Sequence, residues 1–288
     1  MLDNTITIMK KIYLFALASV GFMASFSACI NDTEEAQEPK KEIRLTSEII
    51  PSRVTSLGYQ STQISEGQMV GITIAEAQST HQNVAWSVGK DGALTCTETP
   101  AYWGRTSVSI TAYHPYNEQW TGTDHEFSVA TDQSTEAGYS NSDLLWVSAT
   151  ASADNVPVSL AFAHKLAKIN VTLSSDDFTD LSGFIINICG TNIATGFDPS
   201  SGTLSPIAGS IAEIKAGVTT GEATASAVIV PQTIAKGTNF IKLARNGKTF
   251  YYTLPENQTY NSGYLYSYQL KVEDSSMENL EQGEEIDW

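Results

Sequence analysis

Large apolar residues fall on alternate positions along most of the chain from residue 42 onward, and helical periodicity is almost absent, so the pattern predicts short β-strands throughout. Ile43, Leu45 and Ile49 alternate with Arg44, Thr46 and Glu48, an amphipathic strand that stops at Pro51. Further strands are predicted at Val70, Ile72 and Ile74, from Val84 to Val88, at Leu94 with Cys96, at Val108 with Ile110, and from Leu144 to Val147. The style repeats at Phe184, Ile186 and Ile188, at Val228 and Val230 ahead of Pro231, from Phe240 to Leu243, at Phe250, Tyr252 and Leu254, and from Tyr264 to Val272. Asn246-Gly247 predicts a hairpin between two of these. Tyr264, Tyr266, Tyr268, Leu270 and Val272 share one strand face and are expected to line a core or a groove.

The stretch from Pro157 to Leu173 joins two similar halves. Val158, Leu160, Phe162 and His164 alternate, then Ile169, Val171 and Leu173 resume on the opposite parity, so a bulge or tight turn is required between His164 and Ala167. With a division in Ala153-Asp154-Asn155, the expectation is all-β: two antiparallel β-sandwich domains, residues 42–155 and 156–288, the second ending in a polar tail.

At 288 residues the chain is long enough for two cores, and its formal net charge of −16 repels phosphate backbones, so nucleic acid is excluded as a partner class. Met9-Lys10-Lys11 precedes an apolar run, Ile12 to Ala28, that ends in Phe26-Ser27-Ala28 directly before Cys29. This is the layout of a lipoprotein signal over residues 1–28, with Met9 the preferred start because the basic pair then lies at the N-terminus, and with Cys29 the lipidated residue. A single uncleaved transmembrane helix is the alternative that the run length allows. Residues 29–41 are polar, charged and aperiodic, a flexible tether. The two remaining cysteines, Cys96 and Cys189, read as buried free thiols rather than a disulfide.

Catalytic patterns are missing from the sequence: no Gly-x-Ser-x-Gly, no His-Glu-x-x-His, no Cys-x-x-Cys and no phosphate-cradling glycine loop, and His81, His114, His125 and His164 share no metal-ligand spacing. His164 reads as a hydrogen-bonded packing residue, and the acidic stretch Ser174 to Asp180 as a solvated turn rather than a calcium loop. No enzyme activity, cofactor or metal is expected. Tyr102, Trp103, Tyr116, Trp120 and Tyr139 fall in predicted loops, where aromatic rings either grip a sugar or a protein partner or anchor the loop into the core.

Five motifs occur in one order: Ala112-Tyr113-His114-Pro115-Tyr116-Asn117, Asp143-Leu144-Leu145-Trp146, Phe162-Ala163-His164-Lys165-Leu166, Gly263-Tyr264-Leu265-Tyr266 and Ile286-Asp287-Trp288. Together with the Cys29 signal they resemble the fimbrillin-like pilins, lipoprotein-derived fimbrial subunits of Gram-negative anaerobes, over residues 42–288. The resemblance implies two transthyretin-like sandwiches in a subunit or adhesin of surface fimbriae. The acidic tether after Cys29 resembles a surface-export signal, which implies the outer face of the outer membrane and then the fimbrium. An arginine-specific protease would cut at Arg53 or Arg44 and remove the strand carrying Ile43, Leu45 and Ile49, and other pilin subunits would fill the groove by strand addition. The second reading is a surface lipoprotein that binds glycan and does not polymerise. Because the tail after Val272 is mostly acidic, with Met277, Leu280, Ile286 and Trp288 its large apolar residues, the chain is expected to accept a strand more often than donate one, as a tip or accessory subunit would.

Overall fold

A computed structural model describes residues 40–50, 63–78, 81–181, 183–218, 223–273, 277–282 and 286–288. The signal run, Cys29, the tether up to Pro39 and Arg53 lie outside them. Among the described residues no helix is long and apolar enough to cross a membrane. Residues 40–288 form one compact unit, and it is almost wholly β.

The first half is built from β1 (Leu45–Ile49), β2 (Met69–Ala75), β3 (His81–Val88), β4 (Ala93–Cys96) and β5 (Ser107–His114). It also takes in β7 (Leu145–Ser152) and β8 (Val158–His164). Between β5 and β7 come β6 (His125–Ser128) and a short helix, α1 (Glu136–Ser140), whose first turn is capped by the Thr135 hydroxyl accepting from the Gly138 amide. The ladder runs β1-β4-β3-β2-β5-β7-β8 and closes on itself, because β1 pairs with β8 in parallel and with β4 antiparallel. Inward-facing Ile43, Leu45, Ile49, Val70, Ile72, Val108, Ile110, Leu160 and Phe162 fill the interior.

The second half holds β9 (Ala167–Ser174), β10 (Ile185–Asn192), β11 (Ala194–Asp198), β12 (Thr203–Pro206), β13 (Ile211–Lys215), β14 (Gly217–Val218) and β15 (Thr224–Ile229). After these come β16 (Gln232–Ile234), β17 (Asn239–Arg245), β18 (Lys248–Thr253), β19 (Gln258–Tyr260), β20 (Tyr264–Val272), β21 (Met277–Gln282) and β22 (Ile286–Asp287). Two sheets dominate, β13-β10-β17-β18 and β14-β15-β9-β20-β21, with β22 also on β20. Their shared core contains Ile169, Val171, Ile186, Ile188, Val228, Phe240, Leu243, Tyr266, Tyr268 and Leu270. The hairpin at Asn246-Gly247 forms as predicted: Arg245 pairs Lys248 across a two-residue loop in which both residues have positive φ, 50° and 78°.

Three expectations need correction. The two cores do not part near residue 155. Strand β8 lies beyond that point yet contributes Leu160 and Phe162 to the first core, while Trp120, Phe127, Val129, Tyr139 and Leu144, which precede it, belong to the second. The change of core falls between His164 and Leu166, where the parity slip was read, because alternation reports which face of a strand is buried and not against which sheet. Nor is every ladder antiparallel: β1 with β8 and β9 with β20 run parallel. Finally, of the two free thiols only Cys189 is buried, and Cys96 is half-exposed near the end of the four-residue β4. Cys189 is buried although Ile185 on the same parity is exposed, because the ladder shifts register between Ile188 and Thr191.

Candidate functional site

Strand β1 holds the first barrel shut along one seam. Ile43, Leu45, Ser47 and Ile49 all point inward and are at most 5% exposed, the period-2 burial that the sequence encodes. Backbone bonds fix both edges: Val158 N donates to Arg44 O at 2.8 Å and Ile50 N to Phe162 O at 2.8 Å on the β8 side. On the other side Ile43 N donates to Ala101 O at 2.8 Å and Ser47 N to Gly92 O at 2.7 Å. Gly92 has φ +74° and its missing side chain would meet the Ser47 carbonyl at 2.5 Å, so the β3–β4 turn reaches β1 only with glycine there. Arg44 points to water: its side chain is 73% exposed and lies 3.9 Å from Glu42.

The predicted tyrosine face of β20 lies in the second half, remote from the β1 seam in sequence and in core. Tyr266 and Tyr268 are buried and Tyr264 is half-buried. The Tyr268 hydroxyl lies 2.6 Å from that of Tyr260, and burial first of all pushes both phenols well above their ordinary pKa. Tyr266 accepts from Asn261 N at 2.7 Å. Tyr266 and Tyr268 are core, Tyr268 packed on Phe240 and Tyr266 on Tyr260, and not the lining of the seam closed by β1.

Where the halves meet, the sequence brings together the joint motif, the Asp143 motif and the last residues. His164 Nδ1 lies 2.8 Å from Asp143 Oδ1, and its ring stacks on Trp288 at 3.8 Å. Beneath them Lys168 is fully buried, its Nζ 5.6 Å from the Tyr139 ring centroid and 5.8 Å from that of Trp288. Burial pulls its pKa down to about 8, against the opposing pull of Asp143. The Trp288 amide donates to Gly263 O at 2.6 Å. His164 is thus the hydrogen-bonded packing residue its place in the strand suggested. Sequence reading missed the buried lysine: it shares strand parity with Asn170 and Thr172, opposite Ile169, Val171 and Leu173, so it reads as water-facing, whereas both faces of β9 are buried there.

The loop aromatics divide. Trp103, Trp120 and Tyr139 are buried, the first two anchoring loops and Tyr139 anchoring α1, and offer no open ring face. Tyr102 and Tyr116 are half-buried, Tyr102 in a bridge with Glu42 ahead of β1. Trp120 packs against Tyr113 at 5.2 Å and Phe197 at 5.4 Å, and one edge lines a cleft shared with Thr111 and Ser200. In the acidic turn, Asp176 pairs with Lys271 at 2.6 Å and Asp180 with Arg245 at 3.7 Å. Among the described residues no group of three or more His, Cys, Asp or Glu side chains is placed to hold a metal ion.

Fold and seam define a class: an all-β chain of two cores whose first barrel is closed by the strand Leu45–Ile49. The fimbrillin-like family model matches residues 52–287, and the chain belongs to that family. A structure from Bacteroides uniformis, of a protein provisionally assigned to cell adhesion, shares the fold at 19% identity and a TM-score of 0.66, covering 86% of this chain and 99% of that one. A similarly assigned protein from Bacteroides ovatus aligns at 19% identity and 0.66 over 87% of this chain and 98% of its own. One from Bacteroides thetaiotaomicron aligns at 14% and 0.57 over 82% and 97%. No curated protein matches the chain.

Proposed function

We propose that this chain is a non-catalytic structural subunit or adhesin of cell-surface fimbriae, exported as a lipoprotein through Cys29 and assembled by β-strand addition after its first strand is removed. The observation that carries this reading is the seam. Losing β1 would uncover the apolar positions served by Ile43, Leu45 and Ile49 and free the backbone of both β4 and β8. Burying three such side chains contributes roughly 1.5 to 3 kcal/mol each, so a strand of the same alternation from a neighbouring subunit recovers most of that and restores the ladder. Family membership and the cell-adhesion assignments of the Bacteroides relatives support a role at the cell surface.

The cut that releases β1 is assigned to Arg53 and not to Arg44. A cut after Arg44 would leave Leu45 to Ile49 seated in the barrel, and the Arg44 carbonyl is already bonded to Val158 N. Mass spectrometry of protein sheared from cells tests the whole reading. An unlipidated N-terminus at Val54 is expected. Shed chains that all begin at lipidated Cys29 would overturn processing and leave the non-polymerising surface lipoprotein.

A further inference from the structure

Strand β18 is an edge that the fold leaves open. It ends the order β13-β10-β17-β18, and among the described residues it pairs with β17 alone; β21 passes beside it but is laddered to β20. The two-residue turn at Asn246-Gly247 sets the phase of that pairing. Arg245 with Lys248, Leu243 with Phe250 and Ile241 with Tyr252 are the hydrogen-bonded pairs, so the amides and carbonyls of Thr249, Tyr251 and Thr253 point away from β17. Leu254 N, next along, donates back to Thr238 O at 2.9 Å, which keeps Thr253 in the outward set. Thr249 and Thr253 are exposed, and Tyr251 on the same face is 48% exposed.

Open edges draw other strands, and proteins commonly blunt them with charge, proline or a covering segment. Two other edges of this molecule are blunted. The edge of β13 carries Glu213 and Lys215, with the Lys215 backbone bonded to Thr131 and Gln133, and β12 ends in Pro206. By contrast β18 runs Thr249-Phe250-Tyr251-Tyr252-Thr253, β-branched and aromatic, with no charge after Lys248 and no proline before Pro255. In a chain of net charge −16, such a stretch is where a second copy can approach without repulsion.

The order of residues also matches itself. Run antiparallel about Tyr251, the strand sets Tyr251 against Tyr251, Thr249 against Thr253 and Phe250 against Tyr252 of the other copy, and gives every outward amide and carbonyl a partner. Lys248 of each copy then lies at the end that carries Glu256 of the other. A shift of register one way puts Pro255, which has no amide hydrogen, opposite Tyr251; a shift the other way puts Gly247 there and Lys248 opposite Phe250.

We infer that two copies of this chain join β18 to β18 about a two-fold axis and make one continuous sheet of their second halves. One strand per copy is a small interface, so the dimer is expected to be weak, with a Kd on the order of 100 µM. The pairing leaves β1, β4 and β8 untouched, so it does not depend on removal of the first strand. Its test is sedimentation equilibrium of the mature chain with Cys29→Ala, which carries no lipid, from about 10 µM to about 1 mM. A monomer–dimer equilibrium is expected. Tyr251→Lys and Tyr251→Glu, at an exposed position, each place like charges on the axis and should raise the Kd at least about tenfold, while an equimolar mixture of the two associates again. Native near-ultraviolet spectra of both variants show that the fold is kept. A chain that stays monomeric throughout, which would leave the edge to a strand of a different protein, would overturn the inference. So would dimerisation unchanged by either substitution, or a mixture of the two variants that does not associate.

Discussion

Both halves of the molecule are finished by a segment near one end of the sequence, and the two segments do so by different physics. Strand β1 brings inward-facing Ile43, Leu45 and Ile49 and closes a barrel whose other strands already lie around a common core. The closing segments of the second half, β21 and β22, come from a stretch rich in glutamate and attach as backbone pairings on β20, with one large ring, Trp288, seated on His164 above Lys168. A strand held by three apolar side chains carries its own driving force to any groove of the right spacing. The stretch after Val272 offers few large apolar residues in sequence, and ladder bonds by themselves gain little beyond what water offers the same backbone groups. The expectation that the chain accepts a strand more readily than it donates one rests on this contrast.

The contrast breaks first at β1. Removing residues 40–50 withdraws three buried apolar side chains, on the order of 5 to 9 kcal/mol and comparable to the whole stability of a domain. The shortened chain is expected to lose the near-ultraviolet signal of Trp86 and Trp103, both in the first core, and to regain it on adding a peptide of residues 42–50. Full native signal without the peptide would show that the barrel closes without β1. At the other end, Trp288→Ala should cost about 3 kcal/mol, the range for a buried tryptophan, read by urea unfolding of the second half. A cost as large as that of losing β1 would erase the distinction drawn here.

How much of this was legible in the residues follows from what alternation can report. Strands whose two faces see core and water were read at Ile43–Ile49, Val70–Ile74 and Tyr264–Val272, and the parity slip after His164 marked the change of core. The short strands β11, β12, β16 and β19 were missed, because three to five residues set no period and their place depends on partners far along the chain. The excursion of residues 120–144 into the second core was equally invisible. Its anchors, Trp120, Phe127 and Tyr139, are isolated large residues in polar surroundings, and only the ladder between β6 and β11 shows where they go. Cleft residues such as Thr111 and Gln82 are ordinary polar positions in sequence and meet Trp120 only through that excursion.

Lys168 sharpens the comparison by showing what anchors the last residues at pH 7. Its pKa falls from 10.5 to about 8 on folding, so the folded state binds the proton less tightly than the unfolded state. Stability from this group therefore rises with pH between about 8 and 10.5, and below 8 the buried ammonium carries its full cost. Lys168→Met should stabilise the chain at pH 7 by about 2 kcal/mol, a figure in the range expected for a shift of this size, and the gap to the parent should close as pH approaches 10. Above pH 10 the buried phenols, Tyr260 and Tyr268, with raised pKa values, lower stability in parent and variant alike, which the difference between them removes. Destabilisation by Lys168→Met at pH 7 would mean that the rings and Asp143 more than offset the burial of the charge.

The smallest effect is expected at Arg44, and its smallness is what separates the two candidate cleavage points. The side chain is exposed and its partner Glu42 is 3.9 Å away in water, a pairing that contributes little to stability, so Arg44→Gln should change unfolding by less than about 0.5 kcal/mol. The peptide bond that follows is in a different position. Arg44 O is bonded to Val158 N, Leu45 is buried, and a protease that needs an extended segment of several residues must first peel β1 from both neighbours. Brief treatment of the folded chain with an arginine-specific protease is therefore expected to cut at Arg53 and leave the Arg44–Leu45 bond whole, and Arg53→Ala to block that cut while Arg44→Gln leaves its rate unchanged. Rapid cleavage after Arg44 in the native chain would mean that β1 opens on its own, and a seam that opens without a cut would not hold a precursor closed until processing.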